Sequence, residues 1–173
     1  MNKPQYLIIH HTGGSDANPL ADTSHHTFKI VDDYHKSLGW GGIGYHYFIE
    51  RDGKVTQGRK DNADGAHTKG YNSNSLGICL AGNFDATLPT KEQETALKTL
   101  LRAKMVEYAL TTDRVVPHRA FASKTCFGRR LPDSWAVDLL KPVAPPTAPA
   151  NDAIRDEIRT HLAAVDTLLG KIK

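Results

Sequence analysis

Apolar residues recur along this chain with two different spacings, and the alternation between them predicts both strands and helices. Tyr6-Leu7-Ile8-Ile9-His10 is a short apolar run rich in β-branched residues, which predicts a buried strand. From Ser24 to Leu38 the apolar positions Phe28, Val31, Tyr34 and Leu38 fall three and four apart, the spacing of a helix face, and Gly39-Trp40-Gly41-Gly42 ends it. Tyr45 to Ile49 reads as a strand, Arg51-Asp52-Gly53 as a turn, and Lys54-Val55-Thr56 as the hairpin partner. Leu76 to Leu80 is a second buried strand, stopped by Gly82-Asn83. After Pro89, the Thr90-x-x-Gln93 pattern fits a capping box, and Leu97, Leu100, Leu101, Met105 and Tyr108 mark the inner face of the helix that follows. Val115-Val116 predicts a short strand, and Asp133 to Leu140 a short helix that packs through Trp135 and Leu139. Strands alternating with helices predict an α/β fold, a central mixed β-sheet flanked by helices.

The pattern changes after residue 141. Residues 142–149 hold four prolines and no charge, so they favour extended polyproline II, which at about 3.1 Å per residue spans roughly 25 Å. Ile154, Ile158, Leu162, Val165, Leu168, Leu169 and Ile172 then return to three- and four-residue steps, an apolar stripe on a helix of about six turns. The expected division is a domain over 1–141, a Pro-rich linker over 142–150 and an amphipathic helix over 151–173. The stripe needs a cover: the first domain, a second copy of the chain, or a wall or membrane surface. Near-balanced charge on its other faces argues against anionic lipid.

Composition narrows the class. With 39% hydrophobic and 24% charged residues the chain is globular, and its apolar runs fall far short of the roughly 20 residues that cross a bilayer. A formal charge of +3 is too small to point to nucleic acid. Two cysteines make no disulfide framework, and Asn2-Lys3-Pro4 lead straight into a strand, so no signal peptide is expected. Nine histidines are the one oddity, and they direct attention to metal or proton chemistry.

A hydrolytic zinc takes three His, Cys or carboxylate ligands and keeps a fourth position open. His10 ends the first strand, His118 follows the Val115-Val116 strand, and Cys126 lies beyond the loop 119–125. By spacing alone this is a weak signal, and periodicity does not say which of the adjacent His10 and His11 would face a metal. Cys79, in an apolar strand, reads as a small core residue, and His25, His26, His35 and His46 as helix-surface or core residues.

Several stretches in order are far more specific: Ile8-Ile9-His10-His11-Thr12, Leu38-Gly39-Trp40, Ile43 to Tyr47, Arg51-Asp52-Gly53, Gly58-Arg59, Gly65-Ala66-His67, Asn74 to Gly77, and His118 to Cys126. Across about residues 5–140 the chain resembles the zinc-dependent N-acetylmuramoyl-L-alanine amidases, the group that includes phage lysozyme-type amidases and catalytic peptidoglycan recognition proteins. The resemblance implies zinc in a surface cleft on His10, His118 and Cys126, with His11 turned away onto a backbone group. It implies catalytic roles for Tyr45, beside the metal, and for Lys124, where a lysine resembles the phage branch and animal recognition proteins commonly have threonine. Phe127 departs from the family, since many relatives have proline there. Arg59 reads as a structural or rim residue, and His67 as either a substrate contact or loop filler.

The implied reaction is hydrolysis of the amide between N-acetylmuramic acid and L-alanine in peptidoglycan. Zinc acidifies water and polarises the carbonyl; Lys124 would hold the developing oxyanion, and Tyr45, expected to open a strand adjoining the first, would orient the water or relay a proton. A phage-type endolysin, kept in the host cytoplasm and released to the wall, is the leading reading. A non-catalytic muropeptide-binding module is disfavoured because all three ligand positions are filled. A host muropeptide-recycling amidase is disfavoured because such relatives typically use Asp where Cys126 stands. An unrelated zinc hydrolase acting on another amide is the remaining alternative.

Overall fold

The computed structural model describes residues 2–142 and 155–162. The chain divides into two compact units, Met1–Leu140 and Lys141–Lys173. The first is built on a five-stranded sheet in the order β3-β2-β4-β1-β5. Its strands are β1 (Tyr6–His11), β2 (Tyr47–Ile49), β3 (Val55–Gln57), β4 (Ser75–Leu80) and β5 (Val115–Pro117). β1 runs parallel to both β4 and β5, and β2 is parallel to β4, while the β2–β3 hairpin is antiparallel. The sheet is therefore mixed, as the alternating elements predict.

Alternation along the strands separates two faces. Leu7 and Ile9 of β1 with Leu76, Ile78 and Leu80 of β4 join Leu97 and Leu101 of helix α2 (Lys91–Glu107) and Trp135 of helix α3 (Trp135–Asp138) in the main core. Phe48 and Cys79 point the other way and pack with Val31 of helix α1 (Phe28–Ser37), Ile43 and Ala81. His10, paired in register with Cys79, lies on this second face.

Local chemistry sets the helix ends. Thr90 Oγ1 accepts from the Gln93 N–H and Gln93 Oε1 from the Thr90 N–H, each at 3.1 Å, the capping box read from the sequence. Helix α1 begins at Phe28, four residues later than the apolar spacing suggests. Thr27 is extended and caps the helix, while the Ser24 N–H is held in a turn by Asp22 Oδ1. Its buried residues are Val31 and His35, whereas Tyr34 and Leu38 are exposed.

Of the second unit, residues 155–162 are helical, with Ile158 and Leu162 exposed. Positions 143–150 of the expected linker, and Ile154, Val165, Leu168, Leu169 and Ile172 of the stripe, lie outside the described residues.

Candidate metal centre

β1 carries His10 to the rim of the sheet. β5 lies alongside, pairing Ile9 with Pro117, and so delivers His118 next to it; the two imidazole centroids are 4.4 Å apart. The chain then loops back. The Arg119 N–H donates to the Cys126 carbonyl at 2.7 Å, which closes the loop and returns Cys126 to the ligand pair. Cys126 Sγ lies 3.7 Å from His10 Nδ1. The donor atoms of His10, His118 and Cys126 all lie within 4.8 Å of one another, and this is the one such cluster of three among the described residues.

The donor chemistry suits a borderline-soft divalent cation such as zinc. Burial above all, aided by the neighbouring imidazoles, lowers the His10 pKa well below the usual histidine value. Burial and then Lys124 lower that of His118. Both rings are therefore neutral with a lone pair available at neutral pH. Burial pushes the Cys126 thiol up to about 12, so without a cation the sulfur keeps its proton.

His11 faces the opposite side of the strand, where its Nδ1 accepts from the Phe84 N–H at 2.8 Å, as the resemblance implies. Cys79 is a free, fully buried core residue, and Cys126 is also free. His35 and His46 are core residues: His35 Nδ1 accepts from the Gly44 N–H and His46 Nδ1 from the Gly77 N–H, each at 3.0 Å. Arg59 is structural, its guanidinium donating to the carbonyls of Ile43, Asp64 and Trp40.

Tyr45 requires a correction. It lies two residues before β2, and β2 is separated from β1 by β4, so Tyr45 does not open a strand adjoining the first. It reaches the centre instead by its ring, 5.1 Å from that of His10. Burial above all, with the Cys79 and Cys126 thiols beside it, holds its hydroxyl well above the usual tyrosine value, so it remains a donor. Lys124 is exposed on the loop between the ligands and, with Tyr45 and His67, lines a cleft of about 620 Å³ over the centre. His67 turns its Nδ1 to His10 Nε2 at 3.1 Å. Burial lowers the pKa of His67 to about 3.

Two supports of the ligand loop escape a reading for chemistry. Arg119 donates through Nη1 to the Gly128 carbonyl at 2.8 Å and through Nη2 to the Leu131 carbonyl at 2.7 Å, and lies 5.0 Å over the ring of buried Phe127. Asp85 accepts from the Thr125 hydroxyl at 2.6 Å and the Arg129 N–H at 2.7 Å. The only sequence signal for Arg119 is its place directly after a ligand candidate; Asp85 has none, being forty residues from the groups it holds.

The N-acetylmuramoyl-L-alanine amidase family model matches residues 1–129. An endolysin of Klebsiella phage KP32 is 42% identical over 103 residues, covering 57% of this chain and 67% of its own. Among solved structures, the N-acetylmuramoyl-L-alanine amidase LysC from Clostridium intestinale superposes with a TM-score of 0.70 at 32% identity, covering 80% of this chain and 86% of its own. Drosophila PGRP-LB, solved as a variant in complex with tracheal cytotoxin, superposes with a TM-score of 0.64 at 30% identity, covering 76% of this chain and 79% of its own. With its sheet, its cleft and three quarters of its length matched, the chain belongs to the N-acetylmuramoyl-L-alanine amidase family.

Proposed function

We propose that this protein is a zinc-dependent amidase of the endolysin type, cleaving the bond between N-acetylmuramic acid and L-alanine in peptidoglycan. The observation that carries the reading is the convergence of His10, His118 and Cys126 donor atoms within 4.8 Å of one another at the base of an open cleft. Residues 1–141 are assigned as the catalytic domain, 142–150 as a linker and 151–173 as an appended amphipathic helix. Among the described residues no helix is long and apolar enough to cross a membrane. Its place of action is the cell wall, after storage in the host cytoplasm.

Zinc would be held by His10, His118 and Cys126, where it supplies Lewis acidity for amide hydrolysis at neutral pH. Two neutral imidazoles and one thiolate leave a divalent ion net positive, so the centre stays electrophilic. Tyr45, its ring beside that of His10 and its hydroxyl protonated, is assigned to orient the attacking water or the carbonyl by donating to it. Lys124, from the cleft wall, provides a cation where negative charge develops on the carbonyl oxygen. His67 lines the same cleft and is assigned as a residue beside the substrate.

Digestion of purified peptidoglycan tests the reading. New L-alanine amino termini without new reducing sugars are expected, lost on chelation and restored by zinc. New reducing ends, or full activity of the metal-free protein, refute it.

A further inference from the structure

His10 has two ring nitrogens, and the structure engages both. Nδ1 faces Cys126 Sγ, on the side where the three donor atoms converge. Nε2 faces away, 3.1 Å from Nδ1 of His67. Thr68 Oγ1 lies 3.0 Å from the same His67 nitrogen and 3.5 Å from His10 Nε2, and between the two rings one nitrogen donates and the other accepts. A ring that offers its Nδ1 lone pair to a cation carries its proton on Nε2, so His10 is the donor and His67 the acceptor. His67 then carries its own proton on Nε2, where Ser75 Oγ lies 3.5 Å away. Ser75 Oγ gives its hydrogen to the Tyr71 carbonyl at 2.6 Å, leaving its lone pairs to His67. The polarity runs one way, from the metal side of His10 through His67 and Ser75 to a backbone carbonyl. The reverse polarity puts the His10 proton on Nδ1, where no cation can then bind.

The fold makes room for this ring. A Cβ added at Gly77 would come within 2.5 Å of the His67 imidazole, and one added at Gly65 within 2.4 Å. Gly77 stands between Leu76 and Ile78 in the middle of fully buried β4, where glycine weakens a strand. The imidazole laid across that position accounts for the missing side chain. The loop that carries the ring is fixed as well: the N–H groups of His67 and Thr68 both donate to Asn72 Oδ1 at 2.9 Å.

We propose that His67 is a positioning residue for the metal, accepting the Nε2 proton of His10 and so fixing the tautomer and ring plane that present Nδ1 to the cation. The inference rests on the zinc reading above and deepens it. It gives His67 a task distinct from substrate contact, because Nδ1 is turned onto a ligand and Nε2 onto Ser75.

The test uses the full chain with zinc as the probe. In the zinc-loaded wild type, imidazole ¹⁵N–¹H correlation spectra should show both His10 and His67 protonated on Nε2. His67 protonated on Nδ1 overturns the proposal, and this measurement needs no variant to fold. In competition with a chromophoric chelator, His67→Leu should weaken zinc binding by about ten- to a hundred-fold, and His67→Asn, which places an amide oxygen near Nδ1, should recover most of it. A folded His67→Leu that binds zinc as tightly as the wild type, with only KM for peptidoglycan raised, returns His67 to substrate contact. A wild type that binds no zinc sinks the metal reading itself, an outcome distinct from an indifferent leucine variant.

Discussion

Burial of Cys126 makes zinc capture depend on pH in a way that can be counted. The metal-free thiol, pushed up to about 12, is fully protonated from pH 7 to pH 9, whereas His10 and His118, lowered by burial, are already neutral. Binding zinc as a thiolate complex therefore expels one proton from the protein's own ligands, in addition to any lost by water on the ion. From the thiol alone, apparent affinity should rise at least tenfold per pH unit, about 100-fold from pH 7 to pH 9, or about 2.7 kcal/mol. An ordinary exposed thiol, with a pKa of about 8.5, would bend the curve and give only about 25-fold over the same range. Chelator competition at several pH values, corrected for the chelator's own protonation, measures the slope. Calorimetry in two buffers of different ionisation enthalpy counts the proton directly. A gain near 25-fold, or release of well under one proton at pH 9, would show that the sulfur is a thiolate before the metal arrives, and the burial argument would fail.

Three further outcomes follow from the same geometry. Lys124→Ala should keep zinc yet lose about 10²- to 10³-fold in kcat on peptidoglycan, as expected for removing one oxyanion-stabilising group; loss of zinc in that variant would show that the lysine shapes the ligand loop instead. Arg119→Ala removes the guanidinium donors to the Gly128 and Leu131 carbonyls and uncovers Phe127. It should cost about 2–3 kcal/mol in urea unfolding and weaken zinc binding, while an unchanged midpoint would mean the loop holds itself. Leu97→Ala, at a fully buried site between α2 and the sheet, should cost about 2–5 kcal/mol without altering zinc affinity, as a thermal melt paired with chelator competition would show.

Much of the scaffold was legible because it follows from local periodicity. The β-branched run at Tyr6 to His10, the apolar run at Leu76 to Leu80 and the Thr90–Gln93 capping box each need only near neighbours in sequence to be recognised, and each is present. Family motifs in order singled out His10, His118 and Cys126, which the spacing of those residues alone left weak. Pairing partners were not legible. Side-chain alternation says that a strand has a buried face but not which strand lies beside it, so the insertion of β4 between β1 and β2 misplaced Tyr45. The start of α1 also escaped, because Thr27 and Asp22 compete for backbone donors that the apolar spacing ignores.

By itself, then, the sequence determined the elements, their inward faces and the set of residue types able to hold a cation, since these depend on spacing and side-chain chemistry. The tertiary structure alone decided that the backbone group His11 meets is the Phe84 N–H, that His67 lies behind a ligand, and that Arg119 and Asp85 brace the loop carrying Cys126. Those outcomes depend on groups far apart in sequence sharing one small volume, where burial sets protonation and each hydrogen bond has a direction, and no spacing along the chain encodes that.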